Sequence, residues 1–160
     1  MGYIQNLFNG KTMKNTLLKL SEIKEMVNKM NEELCLDKNK LPSYGVGNEY
    51  NPTFVVVNKV GYSFFEFNPY HNKKNQHLII STLNIDELLF EIFKDSTFFI
   101  GVNYEHEHRI PNQDTRIVMF NKHIEVLSSL QLDMKYINKL REYYDYLLQL
   151  KKPLPIPDKW

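Results

Sequence analysis

Glu105, His106, Glu107, His108 and Arg109 stand in succession, four side chains that can ligate a divalent metal followed by a cation. Two histidines on one helix must be three or four residues apart to face the same ion, and His106 and His108, two apart, would diverge by roughly 200°. On a strand they would share a face, so a site completed by His71, His77 or His123 stays open, and its chemistry would be that of a metal-dependent hydrolase at Glu105–His108. A solvated polar helix face accounts for the run more simply. The spacing does favour an ion pair, because Glu105 and Arg109 are i and i+4 with the acid nearer the N-terminus. Asp114 and Arg116 follow across Pro111, with Asp114 in the first turn of the next helix, where the helix dipole favours an anion. We read these four residues as an electrostatic latch between consecutive helices.

Other catalytic constellations find little support. Cys35 has no histidine near it in sequence, no glycine-flanked serine follows a strand, and Gly45 and Gly47 lack the downstream Lys-Ser/Thr of a phosphate loop. Paired carboxylates such as Glu32 with Glu33, or Asp86 with Glu87, occupy helix positions where solvation explains them. No catalytic residue, cofactor or metal is therefore assigned. A single cysteine excludes an intramolecular disulfide, and its place after Leu34 suggests a passive, partly buried thiol. A DNA-binding regulator would use Tyr70, Lys73 and Lys74, or a helix-turn-helix about Pro111. Twenty basic against nineteen acidic residues leave a net charge of only +1, however, and the second helix offers little besides Gln113 and Arg116 to meet phosphates.

These residues need elements to hold them. Leu20, Ile23, Val27, Met30 and Leu34 recur at steps of three and four, the period of an amphipathic helix, with Ser21 or Thr16 as its cap. Leu41 to Gly47 contains Pro42, Gly45 and Gly47 and reads as a loop. Thr53–Asn58 and Tyr62–Phe67 predict a hairpin, and Gln76–Ser81 a third antiparallel strand beyond the turn formers of 68–75. Asn84 with Glu87 has the spacing of a capping box for a helix from about Ile85, bearing Leu88, Leu89, Ile92 and Phe93. Lys94, Asp95 and Ser96 predict a break, after which a second helical stretch runs through Phe98, Phe99, Val102 and Tyr104 to Arg109 until Pro111. Ile117, Phe120, Ile124, Leu127 and Leu130 mark the next helix. Asp133 caps a last one carrying Ile137, Leu140, Tyr144 and Leu147, and the two are expected to pair antiparallel. The predicted fold is α+β: a short antiparallel β-meander packed with an N-terminal helix and a C-terminal group of three to four helices.

A chain of 160 residues, 42% hydrophobic and 24% charged, suits one globular domain that buries roughly two thirds of its unfolded surface. That domain is expected over residues 16–150, after a loosely held extension, 1–15, in which Met13 is an alternative start. The Pro-rich tail 151–160, with Pro153, Pro155 and Pro157, is expected to run extended, with Trp160 folding back. Ten Phe supply core, while ten Tyr combine apolar body with polar tip, a mixture suited to interfaces. No apolar run approaches the ~20 residues of a membrane span and no signal-peptide pattern opens the chain, so a cytoplasmic protein is expected.

Six motifs in order carry a resemblance. They are Leu41-Pro42-Ser43-Tyr44-Gly45; Tyr62 with Glu66; Asp86-Glu87-Leu88-Leu89 followed by Phe93; Thr97-Phe98; Tyr104-Glu105 with Arg109; and Gln113-Asp114 with Arg116 and Phe120. In this order and spacing the chain resembles the bacterial polymorphic-toxin immunity proteins of the family numbered sixty-three, across residues 16–150. It departs from them at Glu66-Phe67-Asn68, where the family often has Glu-Arg-Gly, and at Ile117, where a second arginine is usual. The resemblance implies a protein that is not an enzyme and that binds and inhibits a cognate toxin in a stoichiometric complex, without cofactor, nucleic acid or membrane. It also implies a set of family residues, Tyr44, Glu66, Tyr104, Glu105, Arg109, Asp114 and Arg116, that either hold the fold or touch the toxin.

Overall fold

The computed structural model describes residues 17–47, 52–67 and 76–150. The expected extension 1–15, the tail 151–160 and the turn 68–75 lie outside them. Helix α1 spans Leu20–Leu34, and a 3-10 turn, Lys38–Lys40, leads into four strands: β1 (Ser43–Tyr44), β2 (Thr53–Asn58), β3 (Gly61–Phe67) and β4 (Gln76–Thr82). Three helices follow, α2 (Ile85–Glu107), α3 (Thr115–Ser129) and α4 (Met134–Gln149). The fold is α+β.

The strands lie in the order β1-β2-β3-β4. β2, β3 and β4 form the expected antiparallel meander, but β1 joins its edge in parallel, with Ser43 opposite Phe54 and Tyr44 opposite Val55. The sheet is therefore mixed, and the segment expected as a loop supplies a strand. Two residues are too few to show an alternating pattern, and it is pairing with a distant strand that orders them, helped by a bond from the Gly45 amide to the Val55 carbonyl at 2.8 Å. At the β2–β3 turn Gly61 has φ +139°, a conformation open to glycine, and a Cβ there would meet the Thr82 carbonyl at 2.5 Å.

The core lies between the sheet and the helices. Val55, Tyr62 and Phe64 from the sheet meet Ile23 and Val27 of α1 and Leu88, Leu89, Ile92 and Phe93 of α2 in one buried cluster, which continues through Phe120, Leu127, Ile137 and Tyr144 of α3 and α4. Helix α2 therefore serves two partners, the sheet and α3. That double duty explains why it runs unbroken through Lys94, Asp95 and Ser96, where a break was expected. Lys94 is paired with Glu91 one turn back, and Thr97 is fully buried with its hydroxyl donating to the Phe93 carbonyl at 2.5 Å, so these two polar side chains are satisfied within the helix.

Helix caps differ in detail from the expected ones. α1 starts after Lys19, whose amide donates to the Glu22 carboxylate at 2.7 Å, while Thr16 lies outside the described residues and Ser21 is already in the helix. Asn84 caps α2 by accepting from the Asp86 amide at 2.9 Å, but Glu87 does not close the box. Its carboxylate accepts from the Thr82 hydroxyl at 2.6 Å, and that hydroxyl accepts from the Asn84 amide at 3.0 Å. Cys35 sits at the left-handed C-cap of α1 with φ 52° and is exposed, not partly buried, because the cap turns it off the apolar stripe.

Gly101 lies where α2 packs closely on α3. A Cβ there would stand 2.6 Å from the Met119 carbonyl oxygen and 3.3 Å from the His123 Cβ. Glycine is unfavourable by about 1 kcal/mol inside a helix, so close packing is what retains it. Gly101→Ala should lower stability by about 1–3 kcal/mol in urea denaturation despite the better helix former, because backbone must move to admit the methyl group.

Candidate functional site

The four charged residues around Pro111 form two separate pairs. Glu105, on the last turns of α2, is 7% exposed and accepts from Arg109 Nε at 2.8 Å and Nη2 at 3.2 Å. Asp114 is the N-cap of α3, accepting from the Arg116 amide at 3.0 Å, and the same carboxylate receives Arg116 Nε at 3.0 Å and Nη2 at 2.6 Å. These bonds from Arg116 hold the Asp114 carboxyl below its ordinary pKa. Arg116 also donates from Nη1 to the Leu147 carbonyl at 2.8 Å and from Nη2 to the Leu150 carbonyl at 3.3 Å. It thus ties the start of α3 to the end of α4, fixing the antiparallel pairing, and neither arginine bonds the other pair's acid. Tyr104 stacks on His108 with centroids 3.9 Å apart, and Lys122 Nζ lies 4.9 Å from its ring.

Two of the four potential ligands in the run that suggested metal chemistry are otherwise engaged. Glu105 is held by Arg109, and His108 Nδ1 donates to the Tyr104 carbonyl at 2.9 Å. Among the described residues no three His, Cys, Asp or Glu side chains converge. His77 is exposed on β4 and His123 is fully buried, while His71, Lys73, Lys74 and Tyr70 lie outside the described residues.

His123 is part of a polar relay through the helical core. Because the Thr97 hydroxyl gives its proton to the Phe93 carbonyl, it accepts from His123 Nε2 at 3.1 Å. Nδ1 is then the acceptor, and it receives the Tyr144 hydroxyl at 2.5 Å. The imidazole is neutral with every polar atom satisfied, and burial pushes its pKa down to about 4. In sequence His123 stands beside Ile124 within the apolar stripe of α3, and Tyr144 within that of α4, which is the one signal that could have found the relay.

Beside this relay the surface opens into a groove of about 830 Å³. Its walls come from α2 (Lys94 to Phe99), α3 (Arg116 to His123) and α4 (Leu140 to Leu147), and its far rim from Lys40 and Thr53. The lining is rich in rings: Phe98 is 40% exposed and Tyr143 54%, and Lys40 Nζ stands 4.8 Å from the Phe99 ring centre. Exposed aromatic residues beside buried ones are what a protein interface offers to anchor a partner.

Of the family residues, only Arg116 lines the groove. Glu66 lies next to it: it pairs in register with Thr53 on β2, and its charge acts on Asp95 in the α2 wall. Tyr44 belongs to β1 at the edge of the sheet, outside the groove lining, its hydroxyl buried without a hydrogen-bond partner among the described residues and its pKa raised by burial. Tyr104, Glu105 and Arg109 sit at the C-terminal end of α2, outside the groove lining. The groove's aromatic residues, Phe98, Phe99, Tyr143 and Tyr144, were not singled out as a site, because nothing in their spacing distinguishes a ring facing solvent from one facing the core.

No helix among the described residues is long and apolar enough to cross a membrane. No curated protein and no solved structure matches the chain. Residues 71–145 match the family model described as Immunity protein 63.

Proposed function

On the premise of membership in this immunity protein family, which the match over residues 71–145 supports, we propose that the chain binds a cognate toxin of a bacterial polymorphic toxin system and neutralises it in a stoichiometric complex. It does so in the cytoplasm of the producing cell and without catalysis of its own. The observation that carries this reading is the family match, and the geometry adds a surface suited to it. The α2, α3 and α4 residues of the groove fall inside the matched stretch except for Leu147. Cognate complexes of ordinary interface area reach very tight affinities when aromatic anchors and charges match. The domain 16–150 supplies this surface, while Glu105 with Arg109 and Asp114 with Arg116 serve the fold that presents it.

Co-expression with the toxin domain encoded beside this gene should restore growth, and the two chains should co-purify at one-to-one stoichiometry. Restored growth without any complex at micromolar protein would overturn the proposal and favour an enzyme that modifies the toxin or its target.

A further inference from the structure

Cross-strand partners share a face of the sheet, so β2, β3 and β4 set their side chains in rows. The row Val55, Phe64 and Ile80 faces the helices and joins the core. The neighbouring row, on the opposite face, is Phe54, Phe65 and Leu78. Phe54 is buried, with its ring stacked on that of Phe65 at 5.2 Å between centroids, Phe65 is half-buried, and Leu78 is 46% exposed. Phe54 lies between Ser43 and Phe65, and Phe65 between Phe54 and Leu78. Among the described residues Leu78 has a cross-strand partner on one side only.

Leu78 stands on the free edge of the sheet. Among the described residues β4 pairs with β3 alone, so the amides and carbonyls that alternate away from β3 meet no strand. The other edge is blunted by β1, which is only two residues long. β4 has seven residues, Gln76 to Thr82, of which Gln76, His77, Leu78 and Ser81 are exposed. It holds none of the lysine, proline or acidic residues that commonly keep an edge from pairing. Its one irregularity is a bulge, where the register passes from Phe65–Leu78 to Phe64–Ile80 and leaves Ile79 unmatched. Ile79 and Ile80 both pack against the core, so the strand is held in place from its inner face.

We propose that the free edge of β4 docks an extended segment of the toxin, which adds a further strand through backbone hydrogen bonds and covers Leu78 with an apolar side chain. The inference rests on the immunity reading and adds a contact that the aromatic groove, which no β4 residue lines, does not supply. β4 falls inside the family match over residues 71–145. The backbone selects the occupant, because an open row of amides and carbonyls is complementary to another strand. Alternation sets the pattern of that strand. A residue opposite Leu78 continues the apolar row, and one opposite Ser81 continues a polar row in which the Ser63 and Ser81 hydroxyls stand 3.3 Å apart. A toxin strand also fits better than a second copy of β4. Ile79 is the middle residue of the seven, so two copies paired about a twofold axis there would set bulge against bulge, whereas a regular strand meets the irregularity once.

The test uses the full chain and the toxin domain encoded beside its gene. Amide hydrogen exchange from His77 to Thr82 should slow in the complex at the amides that β3 does not already bond. Leu78→Lys adds the kind of charge that natural edges carry. It should keep the melting temperature and weaken the complex at least about 10-fold, while Leu78→Val should bind like the wild type. Ile110→Lys, at a comparably exposed apolar residue between α2 and α3, should change neither. A complex in which β4 exchanges as fast as in the free protein overturns the inference and leaves the immunity reading intact, and so does a folded Leu78→Lys that binds at wild-type strength. The exchange measurement needs no variant, so it decides even where Leu78→Lys is unstable. A wild type that sediments as a dimer, and as a monomer once Leu78 is lysine, overturns the inference by giving the edge to a second copy. A wild type that forms no complex at micromolar protein overturns both readings.

Discussion

Taking the protein from pH 7 to pH 4 should remove about 3 kcal/mol of stability through His123 alone. In the unfolded chain this histidine titrates at its ordinary 6.5, whereas burial lowers the folded value to about 4. Between these values the unfolded state binds a proton that the folded state refuses. Stability is therefore fully present above pH 6.5, falls as pH drops through the window, and levels off near pH 4. A gap of roughly 2.5 units at 1.36 kcal/mol each sets the size. The measurement is urea unfolding at several pH values for wild type and His123→Ala. The variant should be weaker by about 3 kcal/mol at pH 7, from a cavity and from the unpaired hydroxyl of Tyr144. The difference between the two should shrink as pH falls, which isolates His123 from the carboxylates. A constant difference from pH 7 to pH 4 would show that the ring is protonated in the folded state and would refute the relay.

Arg116→Ala should lower the melting temperature by roughly 5–10 °C, and Arg109→Ala by much less. Both arginines pair with an acid close in sequence, so the spacing alone ranks Glu105–Arg109 higher. Arg109, however, has a side chain 44% exposed, and solvent screens its pair, whereas the Arg116 side chain is 12% exposed. Arg116 also donates to the carbonyls of Leu147 and Leu150 at the end of α4, of which that of Leu147 otherwise accepts only the long bond from the Leu150 amide at 3.3 Å. Without it α4 loses its C-terminal anchor, and lysine, a single point donor, should restore little. Protection of the α4 amides from hydrogen exchange reads this directly: fraying confined to the end of α4 is expected in Arg116→Ala and absent in Arg109→Ala. If Arg116→Ala keeps its melting temperature yet loses the toxin, the arginine belongs to the interface instead.

Where signals are local, the residues were informative. The stripe Leu20 to Leu34 predicts α1, Asp133 is the expected N-cap of α4, and the β-branched run Thr53–Asn58 is a strand, while Asp114, expected in the first turn of α3, stands just before it as its N-cap. The errors occur where a distant partner overrides a local preference. Lys94, Asp95 and Ser96 look like a break only until α2 is seen packed on both sides. Ser43 and Tyr44 look like loop only until β2 lies beside them.

Sequence by itself determined the α+β class, the periodicity of its helices and the i, i+4 pair of Glu105 with Arg109, since each depends on residues within one or two turns. The tertiary structure decided which polar groups are buried and which aromatic rings are left facing solvent. Thr97, His123 and Tyr144 meet across three helices, at separations no short pattern spans. Burial is a property of what packs on top of a residue, and a histidine changes from solvated base to neutral core link only when that packing removes its water.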